Sequence, residues 1–233
     1  MAAASGDGVG EEEVAVRRLV IFDLDGTLID SKLDIAHAVN ASRAELGLGP
    51  LDLELIGTYV GNGAPVLIRR ALGPSASEAQ IERALAFFLA WYGEHKLDNT
   101  CLYPGVSDAL DRLRDADLRL AVLTNKPVRI SKAILDGLGV GGCFFRVYGG
   151  NSFPEKKPSP MGVEALIAES GIDRSGTVIV GDSSVDVRTA RNAGVPVYGV
   201  TYGFAPESFE GDPPDWCFDT MGEVAAHLLV KEG

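Results

Sequence analysis

Leu19-Val20-Ile21-Phe22-Asp23-Leu24-Asp25-Gly26-Thr27-Leu28-Ile29-Asp30-Ser31 is the stretch on which the reading of this 233-residue sequence turns. Its first four residues are continuous and apolar, as a strand covered on both faces requires. Two carboxylates, Asp23 and Asp25, follow at once, with an Asp-Gly corner. Ligand sites in open α/β sheets lie just beyond the carboxyl ends of the strands. Acids at i and i+2 there face the same loop mouth and repel each other unless a cation lies nearby. Asp-Gly alone is a common polar turn, but the nine residues Asp23 to Ser31 together ask for more than a turn.

Working outward, apolar runs recur at Leu118–Leu123, Phe144–Tyr148, Thr177–Val180 and Val195–Val200. Amphipathic segments separate them: Ser107–Arg114, Val128–Leu138, Met161–Ser170 and Val185–Ala193. The last three each end at a glycine (Gly139, Gly171, Gly194), the usual stop just past a last helical turn. Strands alternating with helices of about ten residues predict βαβ units in a doubly wound parallel sheet, an α/β fold of Rossmann type. Residues 33–101 break the rhythm with helical patterns only. One runs through Ile35, Ala38, Val39 and Leu46. Another runs through Ile81, Leu85, Phe88, Leu89 and Tyr92 behind a capping box, Ser77-x-x-Gln80. The expected organisation is a flexible segment over residues 1–16, an α/β core from residues 17–32 and 102–233, and a small helical cap from residues 33–101.

Composition narrows the partners. Against 21 Lys and Arg stand 33 Asp and Glu, a formal net charge of −12, which disfavours nucleic acid and anionic membrane as partners. No apolar run reaches the length of a membrane helix. The three cysteines, Cys101, Cys143 and Cys217, show no paired spacing. The expectation is a soluble, cytoplasmic protein, monomer or homodimer, acting on a small molecule.

Three further polar clusters sit at strand ends. Gly181-Asp182-Ser183-Ser184-Val185-Asp186 follows the run Thr177–Val180. Asp182 alone could be a helix cap; beside the first cluster, Asp182 and Asp186 become candidate ligands of a hard cation. Mg²⁺ favours one or two carboxylates completed by water and phosphate oxygens. Thr124-Asn125-Lys126 ends Leu118–Leu123, and Lys156-Lys157-Pro158-Ser159-Pro160 follows Phe144–Tyr148. Either could be an ordinary turn or a solvated loop. Converging on one crevice, they supply a hydroxyl and a lysine beside the acids, which is a phosphoryl-transfer constellation. By contrast, Gly137-x-Gly139-x-x-Gly142 follows a helical segment and lacks the strand a dinucleotide loop needs. Phe87, Phe88, Trp91 and Tyr92 read as packing residues of the cap, and His37, His95 and His227 show no ligand spacing.

The sequence resembles the haloacid dehalogenase superfamily of phosphohydrolases, in order and spacing, over residues 19 to about 225. Asp23-x-Asp25-Gly26-Thr27-Leu28-x-Asp30-Ser31, Thr124-Asn125, Lys157-Pro158-x-Pro160 and Gly181-Asp182-x-x-x-Asp186 are similar to its four motifs. Val60-Gly61-Asn62-Gly63-Ala64-Pro65, Tyr103-Pro104-Gly105-Val106 and Tyr202-Gly203-Phe204 resemble the phosphoglycolate phosphatase group within it. The resemblance implies that Asp23 is the nucleophile forming an aspartyl-phosphate and that Asp25 is the general acid and base. It implies Mg²⁺ on Asp23, the main-chain carbonyl of Asp25, Asp182 and Asp186, the last directly or through water. It places Gly26, Thr27, Thr124, Asn125 and Lys157 around the phosphate, with Thr124 and Lys157 also catalytic. The implied reaction is hydrolysis of 2-phosphoglycolate to glycolate and phosphate. Another phosphometabolite or pyrophosphate, a sugar-phosphate mutase of the same fold, and a non-catalytic phosphate-binding regulator remain alternatives. Arg69 and Arg70 are either solvent-facing helix charges or partners of a substrate carboxylate.

Overall fold

A computed structural model describes residues 18–230; the N-terminal segment 1–16 read from the sequence lies outside the described residues. Leu19–Phe22 forms β1, with no exposed side chain. It pairs in parallel with β4 (Arg119–Leu123) on one side and with β6 (Thr177–Gly181) on the other. Beyond β4 lies β5 (Arg146–Tyr148), and beyond β6 lie β7 (Val197–Val200) and β8 (Trp216–Phe218). The six strands run in the order β5-β4-β1-β6-β7-β8, with all pairings parallel. After β5 the chain crosses back over β4 and β1 to enter β6. The switch point of this α/β sheet therefore lies at β1 and β6, where a crevice forms at the strands' carboxyl ends.

The alternation of side chains along each strand feeds two cores. Val20, Phe22, Val122 and Val180 face one side, with Leu110 and Leu113 of α5 (Val106–Asp115), Ile134 and Leu135 of α6 (Val128–Gly137), and Val224 and Leu228 of α9 (Met221–Leu229). Leu19, Ile21, Ala121 and Ile179 face the other, with Val163 and Leu166 of α7 (Met161–Ser170) and Val187 and Ala190 of α8 (Ser184–Ala193). Each fully buried aliphatic side chain contributes about 1.5–3 kcal/mol by leaving water. Helices thus cover both faces of the sheet.

Between β1 and the rest of the sheet the chain makes β2 (Ile29–Asp30), α1 (Lys32–Ala44), α2 (Leu53–Gly57), α3 (Ala64–Leu72), α4 (Glu78–His95) and β3 (Cys101–Leu102). The capping box is present: the Ser77 amide donates to Gln80 Oε1 and the Gln80 amide donates to Ser77 Oγ. The last helix, α4, ends at His95, and Cys101 then pairs with Asp30 in a two-stranded antiparallel crossing. Buried Asp34 fastens that crossing. Its Oδ2 accepts from the Asn99 and Thr100 amides at 3.0 and 2.8 Å and from Thr100 Oγ1 at 2.7 Å, and Asn99 Nδ2 donates to Oδ1. Burial alone would raise the Asp34 pKa, but the bonds from Asn99 and Thr100 outweigh it and hold the carboxyl below its usual range.

The strands β2, β3 and β8 and the helices α2 and α9 have no counterpart in the sequence reading. Gly137, Gly139 and Gly142 lie at the end of α6 and in the 3₁₀ turn Gly141–Cys143, with no preceding strand. All three cysteines are free thiols. Among the described residues, no helix is long and apolar enough to cross a membrane.

Candidate active site

The residue after β1 is Asp23, whose amide donates to the Val180 carbonyl of β6. The register Phe22↔Val122 and Phe22↔Val180 sets the ends of β4, β1 and β6 at one level. Asp23, Thr124 and Asp182 leave the sheet together there. Asp23 Oδ1 accepts from the Leu24 amide at 2.7 Å and from Lys157 Nζ at 2.9 Å. Lys157 also reaches Asp186 Oδ1 at 2.7 Å. Asp186 is fixed from its other side, since its Oδ2 accepts from the amide and hydroxyl of Ser183, the N-cap of α8. The capping role considered for Asp182 is therefore played by Ser183 with Asp186.

Asp182 is held in a mould of backbone. Phe204 N donates to its Oδ2 at 2.7 Å and Thr27 Oγ1 to its Oδ1 at 3.3 Å. A Cβ on Gly26, whose φ is +81°, would lie 2.2 Å from Asp182 Oδ2, and one on Gly203 would lie 2.2 Å from Asp182 Cβ. No larger residue fits either place without displacing the carboxylate. Gly26 and Thr27, assigned to the phosphate by resemblance, have their contacts here, against Asp182. Tyr202 Oη closes the same loop by donating to the Thr27 carbonyl at 2.8 Å.

Carboxylate oxygens of Asp23, Asp182 and Asp186 all lie within 4.8 Å of one another, and all three residues are buried. Among the described residues, Lys157 is the one cation paired with this group. Burial, opposed by Lys157 and reinforced by Asp186, pushes the Asp23 carboxyl up to about 6. Burial, then the charges of Asp186 and Asp23, hold Asp182 well above the usual carboxylate range. Lys157 is buried, which opposes its charge, but Asp186 and Asp23 more than restore it and raise its pKa. Buried carboxylates that outnumber their ammonium partners need protons or a cation. An all-oxygen donor set of this kind fits a hard divalent ion.

Asp25 stands apart from that triad. Its Oδ1 accepts from Ser31 Oγ and from Lys126 Nζ, both at 2.5 Å. Thr124 is buried and its Oγ1 accepts from the Lys126 amide at 3.2 Å, which leaves its proton free to be donated. A cavity of about 50 Å³ opens over Asp23, Asp25, Thr124, Asn125 and Lys126. Val60 of the loop before α3, Ala64 and Leu67 of α3, and Phe88, Leu89 and Tyr92 of α4 form its roof. Two polar ties join roof and floor: Asn125 Nδ2 donates to the Gly61 carbonyl at 2.9 Å, and Lys156 Nζ to the Asn62 carbonyl at 2.6 Å.

The structure therefore brings Asp23, Asp25, Thr124, Asn125, Lys157, Asp182 and Asp186 to one end of the sheet. A profile of the haloacid dehalogenase-like hydrolase family matches residues 20–200. The chain belongs to that family. The hydrolase is 44% identical over 193 residues to a phosphoglycolate phosphatase of Pseudomonas putida, covering 80% of this chain and 70% of the relative. It is 42% identical over 220 residues to a phosphoglycolate phosphatase of Chromobacterium violaceum, covering 93% and 97%. The crystal structure of a predicted phosphoglycolate phosphatase from Haemophilus somnus matches it with a TM-score of 0.86 at 33% identity, covering 91% of this chain and 98% of that one.

Lys126 and Tyr92, which have no site role in the sequence pattern alone, line the hydrolase's cavity. Lys126 follows Thr124-Asn125 directly, and that adjacency was the available signal. Tyr92 was read as packing, which its burial supports, but the same side chain also lines the cavity. Arg69 and Arg70 are exposed on α3. Arg69 grips Glu78 at 2.6 and 2.7 Å, and neither arginine lines the cavity over Asp23.

Proposed function

We propose that the protein is a Mg²⁺-dependent phosphatase that hydrolyses 2-phosphoglycolate to glycolate and phosphate through an aspartyl-phosphate on Asp23. The relatives' names support the substrate. One observation carries the mechanism: Asp23 and Asp25 share a cavity but have separate partners, as a nucleophile and a proton carrier must.

Asp23 Oδ1 is engaged by Lys157 and the Leu24 amide, which leaves Oδ2 to attack phosphorus. As the bond from phosphorus to the leaving oxygen breaks, Asp25 gives that oxygen its proton and glycolate departs as the alcohol. Asp25 then takes a proton from water, and the water oxygen displaces the Asp23 carboxylate from phosphorus. The Thr124 hydroxyl, nearby amides including that of Asn125, and Lys157 bind the phosphoryl oxygens. Asp23, the Asp25 carbonyl, Asp182 and Asp186 would hold Mg²⁺, whose charge offsets the repulsion between these acids and the phosphate.

The helices of residues 33–101 serve as a cap on a core of residues 17–32 and 102–233. With its apolar roof, the cap excludes water from the reacting centre. In the cell the enzyme acts on a small cytoplasmic metabolite.

A panel of phosphomonoesters and pyrophosphate, assayed for phosphate release with Mg²⁺ and with EDTA, tests this reading. The highest kcat/KM should belong to 2-phosphoglycolate, with release abolished by EDTA and restored by excess Mg²⁺. A higher kcat/KM on another ester or pyrophosphate would refute the substrate, and turnover surviving EDTA would refute the metal.

A further inference from the structure

A short hydroxy acid carries its carboxylate one carbon away from the oxygen that leaves phosphorus. Any group that protonates that oxygen must therefore stand near the carboxylate, and so must the neighbours of Asp25. Lys126 is bonded to Asp25 Oδ1, and it is the one cation among the described residues lining the cavity. Its ammonium is buried, lies 4.8 Å from the ring centroid of Tyr92, and has three N–H donors.

Tyr92 supplies a second sign of a ligand. Its hydroxyl is buried and, apart from the neighbouring Lys126 ammonium, has no hydrogen-bond partner among the described residues; Asn125 Oδ1 is likewise unpartnered, and both residues line this cavity. Unpaired buried polar atoms are costly; a carboxylate arriving in the cavity would accept from the Tyr92 hydroxyl, whereas Asn125 Oδ1, itself an acceptor, calls for a donor. Burial pushes the Tyr92 phenol up to about 12, so the hydroxyl keeps its proton and can donate. The surrounding roof of Val60, Leu67, Phe88 and Leu89 is apolar. A carboxylate entering there would be stranded without a partnered cation and donor.

We propose that Lys126 and Tyr92 form the subsite that binds the substrate's carboxylate, so that they select phosphorylated hydroxy acids over neutral phosphate esters. The inference rests on the 2-phosphoglycolate reading of the same site. Lys126 and Tyr92 act as specificity residues in it, and the surface arginines of α3 take no part.

The test compares 2-phosphoglycolate with ethyl phosphate, which has the same two-carbon chain and no carboxylate, in the full-length enzyme with Mg²⁺. The ratio of their kcat/KM values should fall about 100-fold in Lys126→Met and roughly fivefold in Tyr92→Phe. Equal losses on both esters, with the ratio unchanged, would reduce Lys126 to a positioning partner of Asp25 and overturn the subsite. If Lys126→Met does not fold, Tyr92→Phe decides the matter through glycolate inhibition of ethyl phosphate hydrolysis. The inhibition constant should rise roughly fivefold, and an unchanged constant overturns the proposal. A wild-type enzyme that cleaves ethyl phosphate but not 2-phosphoglycolate would sink the substrate reading and this inference with it. An unchanged ratio in the variants sinks the inference alone.

Discussion

The floor and the roof of the cavity are built from opposite materials. The floor is charge locked in place: Lys157 bridges Asp23 and Asp186, Ser183 clasps Asp186, and the Phe204 amide and Thr27 hydroxyl fix Asp182. The roof is hydrocarbon from α3, α4 and the loop before α3, and it touches the floor's polar groups through the Gly61 and Asn62 carbonyls. A site with a rigid polar floor and a lightly tied apolar roof can preorganise its chemistry and still admit a substrate. The floor should therefore control turnover, and the roof should control which ester is accepted.

The largest expected effect breaks the floor. Asp182→Asn should leave the fold intact by circular dichroism, and phosphate release should fall on the order of 10³-fold or more. Comparable kcat in that variant would remove Asp182 from the catalytic machinery.

A second effect reads the floor's charge directly. Without a cation, Asp23 and Asp182 hold their protons more tightly than in the unfolded chain, where carboxyls titrate near 3.8. Their contribution to stability therefore falls as pH rises from that value through about 6, the folded value for Asp23. Mg²⁺ relieves this repulsion. At 100 times its Kd it should stabilise the protein by about 2.7 kcal/mol, and the rise in Tm should be larger at pH 7.5 than at pH 5.5. Equal shifts at both values would contradict the charge account.

The crossing at which the roof joins the core comes next. Asp34→Asn loses a charged acceptor shared by Asn99 and Thr100, and unfolding free energy in urea should drop by roughly 2 kcal/mol. Because the folded pKa of Asp34 is depressed, its contribution is full above the unfolded pKa and disappears as pH falls through the folded one. The difference between wild type and variant should therefore shrink in acid.

Smaller still is the loss of one tie between roof and floor. Lys156→Ala removes the bond to the Asn62 carbonyl, and kcat/KM should fall roughly tenfold with Tm little changed. The least effect belongs to Arg69→Ala. Its partner Glu78 is exposed, so both Tm and 2-phosphoglycolate kinetics should match wild type.

The same contrast explains what the sequence disclosed. Each acid of the floor stands within a few residues of a buried strand, because a strand end and a glycine turn are what position it. Asp23, Asp25, Asp182 and Asp186 were legible for that reason. The roof is written in helical periodicity, where a side chain facing the core and one facing a cavity have the same spacing. Tyr92 therefore read as packing alone. Asp34 is tied to Asn99 and Thr100, far along the chain, and no local pattern announces such a pairing. Strand β8 escaped notice because Trp216–Phe218 is a short edge strand, with Trp216 and Cys217 exposed, so it lacks the continuous apolar run that marked β1. Lys126 was visible in its motif, but a lysine in a loop has no direction until the fold turns it toward Asp25.

The central claim is that Asp23 carries the phosphoryl group. Acid quenching of the enzyme during turnover of 2-phosphoglycolate with Mg²⁺, followed by peptide mapping in the mass spectrometer, tests it most directly. The account predicts a phosphorylated peptide with the modification on Asp23. Full turnover with Asp23 unmodified, or the phosphoryl group on another side chain, would contradict it.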